Sequence, residues 1–248
     1  MHRQGIVYER FLNGKLRIYL LRLYRNIAKK YGGGKLNWES ELTDSRPLFV
    51  LLMNFYQRVF VNSSNLLFES VDEQTKKYHR LGAYMEKDLR STFWEQFRNF
   101  MRSYCAQRVT DINKTTRKRI QYVIDRGIED EIGRQGITKK LMAISAIQSR
   151  HRARLIAATE THSGMSFAIH QAAKTERIIR EHEWMTAHDE RVRRPHVLAD
   201  GQRVPIGTPF SVGGEQLDHP GDPKGSAANI IRCRCVEIFH TKREGLYR

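Results

Sequence analysis

Cysteine is scarce in this chain: three in 248 residues, an odd number, with Cys233 and Cys235 only two residues apart. That excludes the disulfide framework of a small secreted domain. Proline is absent from long stretches. Five of the six lie between Trp184 and Cys235, so Pro47 is the only one in the first 180 residues. Acidic residues are short: 27 Asp and Glu stand against 43 Lys and Arg, a formal charge of +16. Such a surplus implies attraction to polyanions and says nothing about fold. Long hydrophobic runs are missing too. The longest, Leu48 to Met53, is far below the roughly 20 residues of a membrane span. Charges at Arg3, Glu9 and Arg10 interrupt the apolar stretch a secretory leader needs. Synthesis in a reducing cytoplasm and no membrane partner are therefore expected. What remains, 40% hydrophobic and 28% charged residues, suits a globular chain of one large or two small domains.

The proline-poor part reads as helix. Residues 1–35 hold nine Lys or Arg and one acid. Leu12, Leu16, Tyr19, Leu20, Leu23 and Ile27 fall at helical spacing, which puts Arg17, Arg22, Arg25, Lys29 and Lys30 mostly on other faces. These five are the candidate contacts to DNA or a partner. Gly32-Gly33-Gly34 ends the helix, as a tether if the helix docks elsewhere or as a turn if it packs on the body. Asp44-Ser45-Arg46-Pro47 reads as a helix start, followed by an apolar helix from Leu48 to Phe68. Ser70 and Glu73 have capping-box spacing, so a second long helix is expected from about Asp72 to Val109, carrying Tyr78, Leu81, Met85, Leu89, Phe93, Phe97 and Met101. Asn113 to Thr116 reads as the cap of a third, ended by Gly133 and Gly136. Thr138 reads as the cap of a short helix to Ser149, and a further helix runs to about Lys174. Glu160 sits among small residues there, where a close-packed neighbour could pin it. Arg191 or Arg193 is the expected partner, with solvent exposure as the alternative.

From Trp184 onward, short apolar runs are cut by Asp200-Gly201, Pro209-Phe210 and His219-Pro220-Gly221-Asp222-Pro223. That pattern favours strands and loops. The fold class is thus α+β, a long mostly helical N-terminal region followed by a small β-rich C-terminal module. Trp184, Asp189, Arg191, Arg193, His196, Asp200 and Asp222 are candidates, with Glu160, for a polar core that fixes the module's loops. In a strand, Cys233 and Cys235 would share a face. With His196 and either His219 or His188 they could form a tetrahedral zinc site. The alternative is two thiols packing a sheet edge. No other cofactor is expected.

An ordered set of these residues resembles a known family. Arg154-Leu155-Ile156-Ala157-Ala158-Thr159-Glu160-Thr161 is similar to the R-x-L-I-A-R-T-E-T helix of the phage Mu F-protein-like domain of minor head proteins, the head-morphogenesis family. Trp184 and Thr186, Asp189-Glu190-Arg191-Val192-Arg193, His196, Asp200-Gly201, Pro209-Phe210, Pro220-Gly221-Asp222-Pro223 and Cys233-Arg234-Cys235 continue the likeness. It covers about Asn113 to Phe239. Ala158 departs from the usual arginine, and Arg232 stands where Asn is frequent. Some relatives carry what looks like a zinc site, Cys-x-x-Cys and a late His. Arg193, His196 and Ile230 occupy those places here.

The resemblance implies a few-copy virion component inside the phage head. Its partners would be the portal protein, other head or capsid proteins, and packaged double-stranded DNA bound without sequence preference. It would act in DNA packaging or ejection. The expected division is a basic helix and glycine tether (1–35), a helical region (36–110) and the Mu F-like domain (111–240), with helices over 113–175 and the β-rich module over 182–240. No nucleophile–base–orienter set can be assembled from spacing, so an enzyme is not expected. The alternative is a metal-dependent nuclease using Asp189, His196, His219 or Asp222.

Overall fold

The computed structural model describes residues 2–35, 37–75 and 83–241. Helices dominate: α1 (His2–Gly32), α2 (Ser40–Thr43), α3 (Arg46–Thr75), α4 (Ala83–Glu129) and α5 (Gly133–Thr175). The β-rich module comes next, with β1 (Ile179–Met185), α6 (Arg194–Ala199), β2 (Arg203–Pro205), β3 (Phe210–Val212), β4 (Glu215–Leu217), α7 (Ala227–Ile230) and β5 (Val236–Thr241). This is the α+β arrangement expected from the proline distribution. The module opens three residues earlier than expected because Ile179 already pairs with Thr241.

The helices are fewer and longer than the caps suggested, for one physical reason. Asn113 to Thr116 start no helix; α4 runs through them. Thr115 and Thr116 donate their hydroxyls to the carbonyls of Asp111 and Ile112, four residues back (2.8 and 2.7 Å). Asn113 donates to the Leu42 carbonyl and the Ser45 hydroxyl. Thr138 likewise bonds back to Arg134 inside α5, so Lys139–Ser149 is no separate helix and Gly136 ends nothing. A hydroxyl that caps and one that bonds back are the same letter in a sequence. Ser70 and Glu73 lie within α3. The expected helix from Asp72 crosses residues 76–82, so Tyr78 and Leu81 are outside the described residues, as are the side chains of Met85 and Leu89. The α3 start does match: Asp44 accepts from the Arg46 amide. Between α4 and α5 the chain turns through left-handed Glu131 and Gly133.

The chain forms two compact units, each built from separate stretches. One comprises residues 6–55 and 99–157. Its core joins Leu23, Tyr24 and Ile27 of α1, Trp38 and Leu42, Ile120 and Ile124 of α4, and Ile137 and Leu141 of α5. The α1 stripe is thus a packed surface, and the helix is part of the body. Arg152 is buried here and donates to the Ile112 carbonyl and the Thr116 hydroxyl (3.1 and 3.0 Å). Burial lowers its pKa.

The other unit comprises residues 1–5, 56–98 and 158–248. In its helical part Phe60 stacks on Phe93 and Phe97. In the module, β1 is the middle strand of an antiparallel sheet, β2-β1-β5, and β3 and β4 form a hairpin. That hairpin turns on Gly213 and Gly214, both left-handed (φ 60 and 82), as a two-residue type I′ turn requires. Trp184, Ala199, Phe210, Val212, Leu217, Cys233 and Cys235 form the module's core.

Candidate functional site

Two clusters of ionisable side chains are buried in the module and against the last turns of α5. The first contains His196, Cys233 and Cys235, whose ligand atoms all lie within 4.8 Å of one another. Pro195 sits in the first turn of α6 and His196 comes after it, turned inward. Its Nδ1 is 3.2 Å from the Cys235 Sγ and 3.8 Å from the Cys233 Sγ. The two cysteines are not in a strand; they precede β5 on a loop that turns through left-handed Arg232 (φ 53). That loop is anchored twice. The Arg232 amide donates to the Thr159 hydroxyl of α5 (3.2 Å), and the Arg193 guanidinium donates to the carbonyls of Asn229 and Ile231.

Cys233 is held far below the usual thiol range, first by its hydrogen bond with Cys235 and then, against burial, by His162 and His196. Cys235 is pushed up by Cys233 and by burial, with the Trp184 indole working the other way. His162, on α5, thus lies against Cys233, and its buried Nε2 has no hydrogen-bond partner of good geometry.

The second cluster joins His170 of α5, His182 of β1 and Glu237 of β5. The Nδ1 atoms of both histidines lie 2.8 Å from the same oxygen, Glu237 Oε1. The His182 Nε2 faces the Thr208 carbonyl at 2.9 Å. Both His182 nitrogens therefore face acceptor oxygens. Burial works to raise the Glu237 pKa, but the hydrogen bonds from His170 and His182 outweigh it and hold the group below the ordinary carboxylate value.

His219 belongs with this second cluster, contrary to its expected place beside the thiols. Its ring lies 5.4 Å from that of His170 and 5.8 Å from Phe167, and its Nδ1 donates to the Pro220 carbonyl. Burial, more than any neighbour, lowers its pKa. His188 also lies apart, exposed and paired with Asp200 at 2.8 Å.

The expected polar core is otherwise split. Trp184 and His196 are buried, but Asp189 and Arg191 are at the surface. Asp189 pairs with Arg234, which holds its carboxyl at about 2. The Arg191 side chain is 77% exposed. A short Asp-x-Arg spacing instead lets Asp189 accept the Arg191 amide in a turn (3.0 Å). Asp200 accepts the Thr186 amide at 2.7 Å and ties the end of α6 to β1. Asp222 is buried and accepts the amides of Asp218 and Lys224 (2.7 and 3.0 Å), as the rigid-turn reading of its segment requires. Glu160 is buried rather than exposed and accepts the Tyr56 hydroxyl at 2.5 Å; Arg193 is spent on the Asn229 and Ile231 carbonyls. In α1, Arg17, Arg22, Arg25 and Lys29 are exposed, whereas Lys30 is half-buried and paired with Glu41 (2.6 Å).

Sequence reasoning missed His162, His170, His182 and Glu237. One signal was present: His182 stands two residues before Trp184, so both point to one face of β1, and both are buried.

The fold and site define a helical protein with a small antiparallel module whose interior is braced by buried histidines, thiols and a carboxylate. Residues 118–238 match the family described as phage Mu protein F like protein, and this stretch belongs to that family. The match relates this stretch to phage head proteins. No curated protein and no solved structure matches the chain. Among the described residues, no helix is long and apolar enough to cross a membrane.

Proposed function

We propose that the protein is a minor head protein of a phage virion. In this reading it is made in the host cytoplasm and acts in head morphogenesis inside the head. It binds the portal or neighbouring capsid proteins and the packaged DNA, and serves DNA packaging or ejection. The observation that carries the DNA part is the partition of charge. Residues 6–55 and 99–157 hold 22 Lys and Arg against 9 Asp and Glu, a surplus of 13 out of the chain's 16. Many of these cations are exposed on α1, α4 and α5, including Arg17, Arg22, Arg25, Lys29, Arg117, Lys118 and Lys139. Cations gathered in one unit neutralise phosphates and release counterions, which gives salt-sensitive binding without base reading. The portal and capsid partners rest on family membership alone.

The nuclease alternative gains no observation of its own. Asp189 is spent on Arg234, Asp222 on two backbone amides, and the histidine clusters are buried. The test is binding to double-stranded DNA of unrelated sequences as salt is varied, for the protein and for a variant with Arg17, Arg22, Arg25 and Lys29 changed to Ala. Truncating α1 is the wrong test, because Leu23, Tyr24 and Ile27 are core. Tight binding that ignores salt, or cleavage of the DNA in Mg²⁺, would overturn the reading.

A further inference from the structure

We propose that His196, Cys233 and Cys235 hold one structural zinc ion, with His162 closing on it as the fourth ligand. The proposal stands on the geometry of this chain and is independent of the head-protein reading. Zinc bonds thiolate sulfur at about 2.3 Å and imidazole nitrogen at about 2.0–2.1 Å, so a tetrahedral site places sulfur and nitrogen ligands roughly 3.6 Å apart. The His196 Nδ1 lies 3.2 and 3.8 Å from the two sulfurs, on either side of that value. The second cluster differs. There the two nitrogen-to-oxygen separations are 2.8 Å, the length of a direct hydrogen bond to a carboxylate.

The donor set selects the metal. Two thiolates and two imidazoles suit zinc, whereas magnesium and calcium want oxygen. The fourth ligand is the part that sequence spacing does not reveal. His162 comes from α5, some 70 residues before the thiols. Its buried Nε2 lacks a good hydrogen bond, and a buried polar atom in that state calls for an unseen water or ion. Gly221 lies along the same edge of the ring: a Cβ there would stand 2.9 Å from the His162 Cδ2 and 3.3 Å from its Nε2. His162 stands outside the 4.8 Å group of the other three ligands, so binding the ion would draw its imidazole inward. With His162 in the fourth position the ion would brace α5, α6 and the loop before β5 rather than activate water.

The experiment uses the full-length protein purified under reducing conditions with zinc present and then dialysed. Elemental analysis is expected to find roughly one zinc per chain, and Co²⁺ exchanged into the site to give a thiolate-to-cobalt charge-transfer band with tetrahedral ligand-field absorption. His162→Gln is expected to lose retention on dialysis and to weaken affinity in a chelator competition by at least about tenfold. Cys233→Ser with Cys235→Ser is expected to abolish both signals, and His219→Gln to leave both unchanged. If the serine variant does not fold, the cobalt spectrum of the unaltered protein still decides. Absence of the charge-transfer band, or thiols recovered as a Cys233–Cys235 disulfide under reducing purification, overturns the proposal. A cobalt site that His219→Gln removes and His162→Gln spares overturns the ligand assignment.

Discussion

The indole of Trp184 meets the imidazole of His196 edge to face, with ring centroids 5.5 Å apart and planes at 82°. The central strand of the sheet thereby fixes the orientation of the α6 histidine that faces both thiols. Trp184 is fully buried among Phe210, Val212 and Leu217. Replacing it by alanine should cost about 3–5 kcal/mol, the usual loss for a large core aromatic. Denaturant unfolding monitored by circular dichroism measures this; a change under about 1 kcal/mol would deny the tryptophan its central place.

Asp222 is expected to act through the backbone. Its carboxylate accepts the amides of Asp218 and Lys224 and is buried. Asp222→Ala leaves two amides without their acceptor and should destabilise by about 1–3 kcal/mol. Asp222→Asn, which keeps an acceptor oxygen, should recover part of that loss in the same unfolding assay.

Acid should loosen the module in two stages. The His219 pKa is lowered from 6.5 by burial, with His170, Asp222 and Glu237 facing it. A histidine kept neutral in the folded state costs stability once the unfolded chain takes up a proton, so this contribution is intact above about pH 6.5 and falls below it. The Glu237 pKa is lowered from 4.5. Its stabilisation is present above that value and is lost as pH drops through the folded pKa. Thermal unfolding from pH 8 down to about pH 2 should therefore show a Tm that declines from about pH 6.5 and falls again below about pH 4.5. His219→Asn should flatten the first stage only; an unaltered profile would count against the assignment.

Neutralising the exposed face of α1 should change salt dependence more than sequence preference. Each phosphate contact contributes about 0.9 to the slope of log affinity against log salt. Changing Arg17, Arg22, Arg25 and Lys29 to Ala should shallow that slope by up to about 3–4, equally for unrelated duplexes. Lys30→Ala is the internal comparison, because that ammonium is already paired with Glu41, and its slope should stay near that of the unaltered protein. Filter binding or fluorescence anisotropy at several salt concentrations reads both.

Periodicity and punctuation were legible in the sequence; long-range company was not. The α1 stripe of Leu12, Leu16, Leu20, Leu23 and Ile27 is buried as its spacing indicates, because a helix's own period decides which face is apolar. The β-rich module was legible from its prolines and glycines, which set local backbone angles. Thr115, Thr116 and Thr138 misled because a hydroxyl's choice between capping and bonding back depends on whether the preceding turn is already helical, which packing decides. Glu160 finds Tyr56, 104 residues away, and His162 reaches Cys233 from another element. Nothing local marks either meeting. His219 shows the converse error. Its residue type made it, with His188, a candidate to complete a set with the two cysteines, yet its turn delivers it to His170.

Gly221 carries a consequence for how the module can vary. Its left-handed φ of 76 and its closeness to the His162 ring make it a spacer gauge between a tight corner and an imidazole. Any side chain there would both strain the corner and displace that ring. A substitution two residues from His219 would be felt first on the far side of the turn, at a histidine 59 positions earlier.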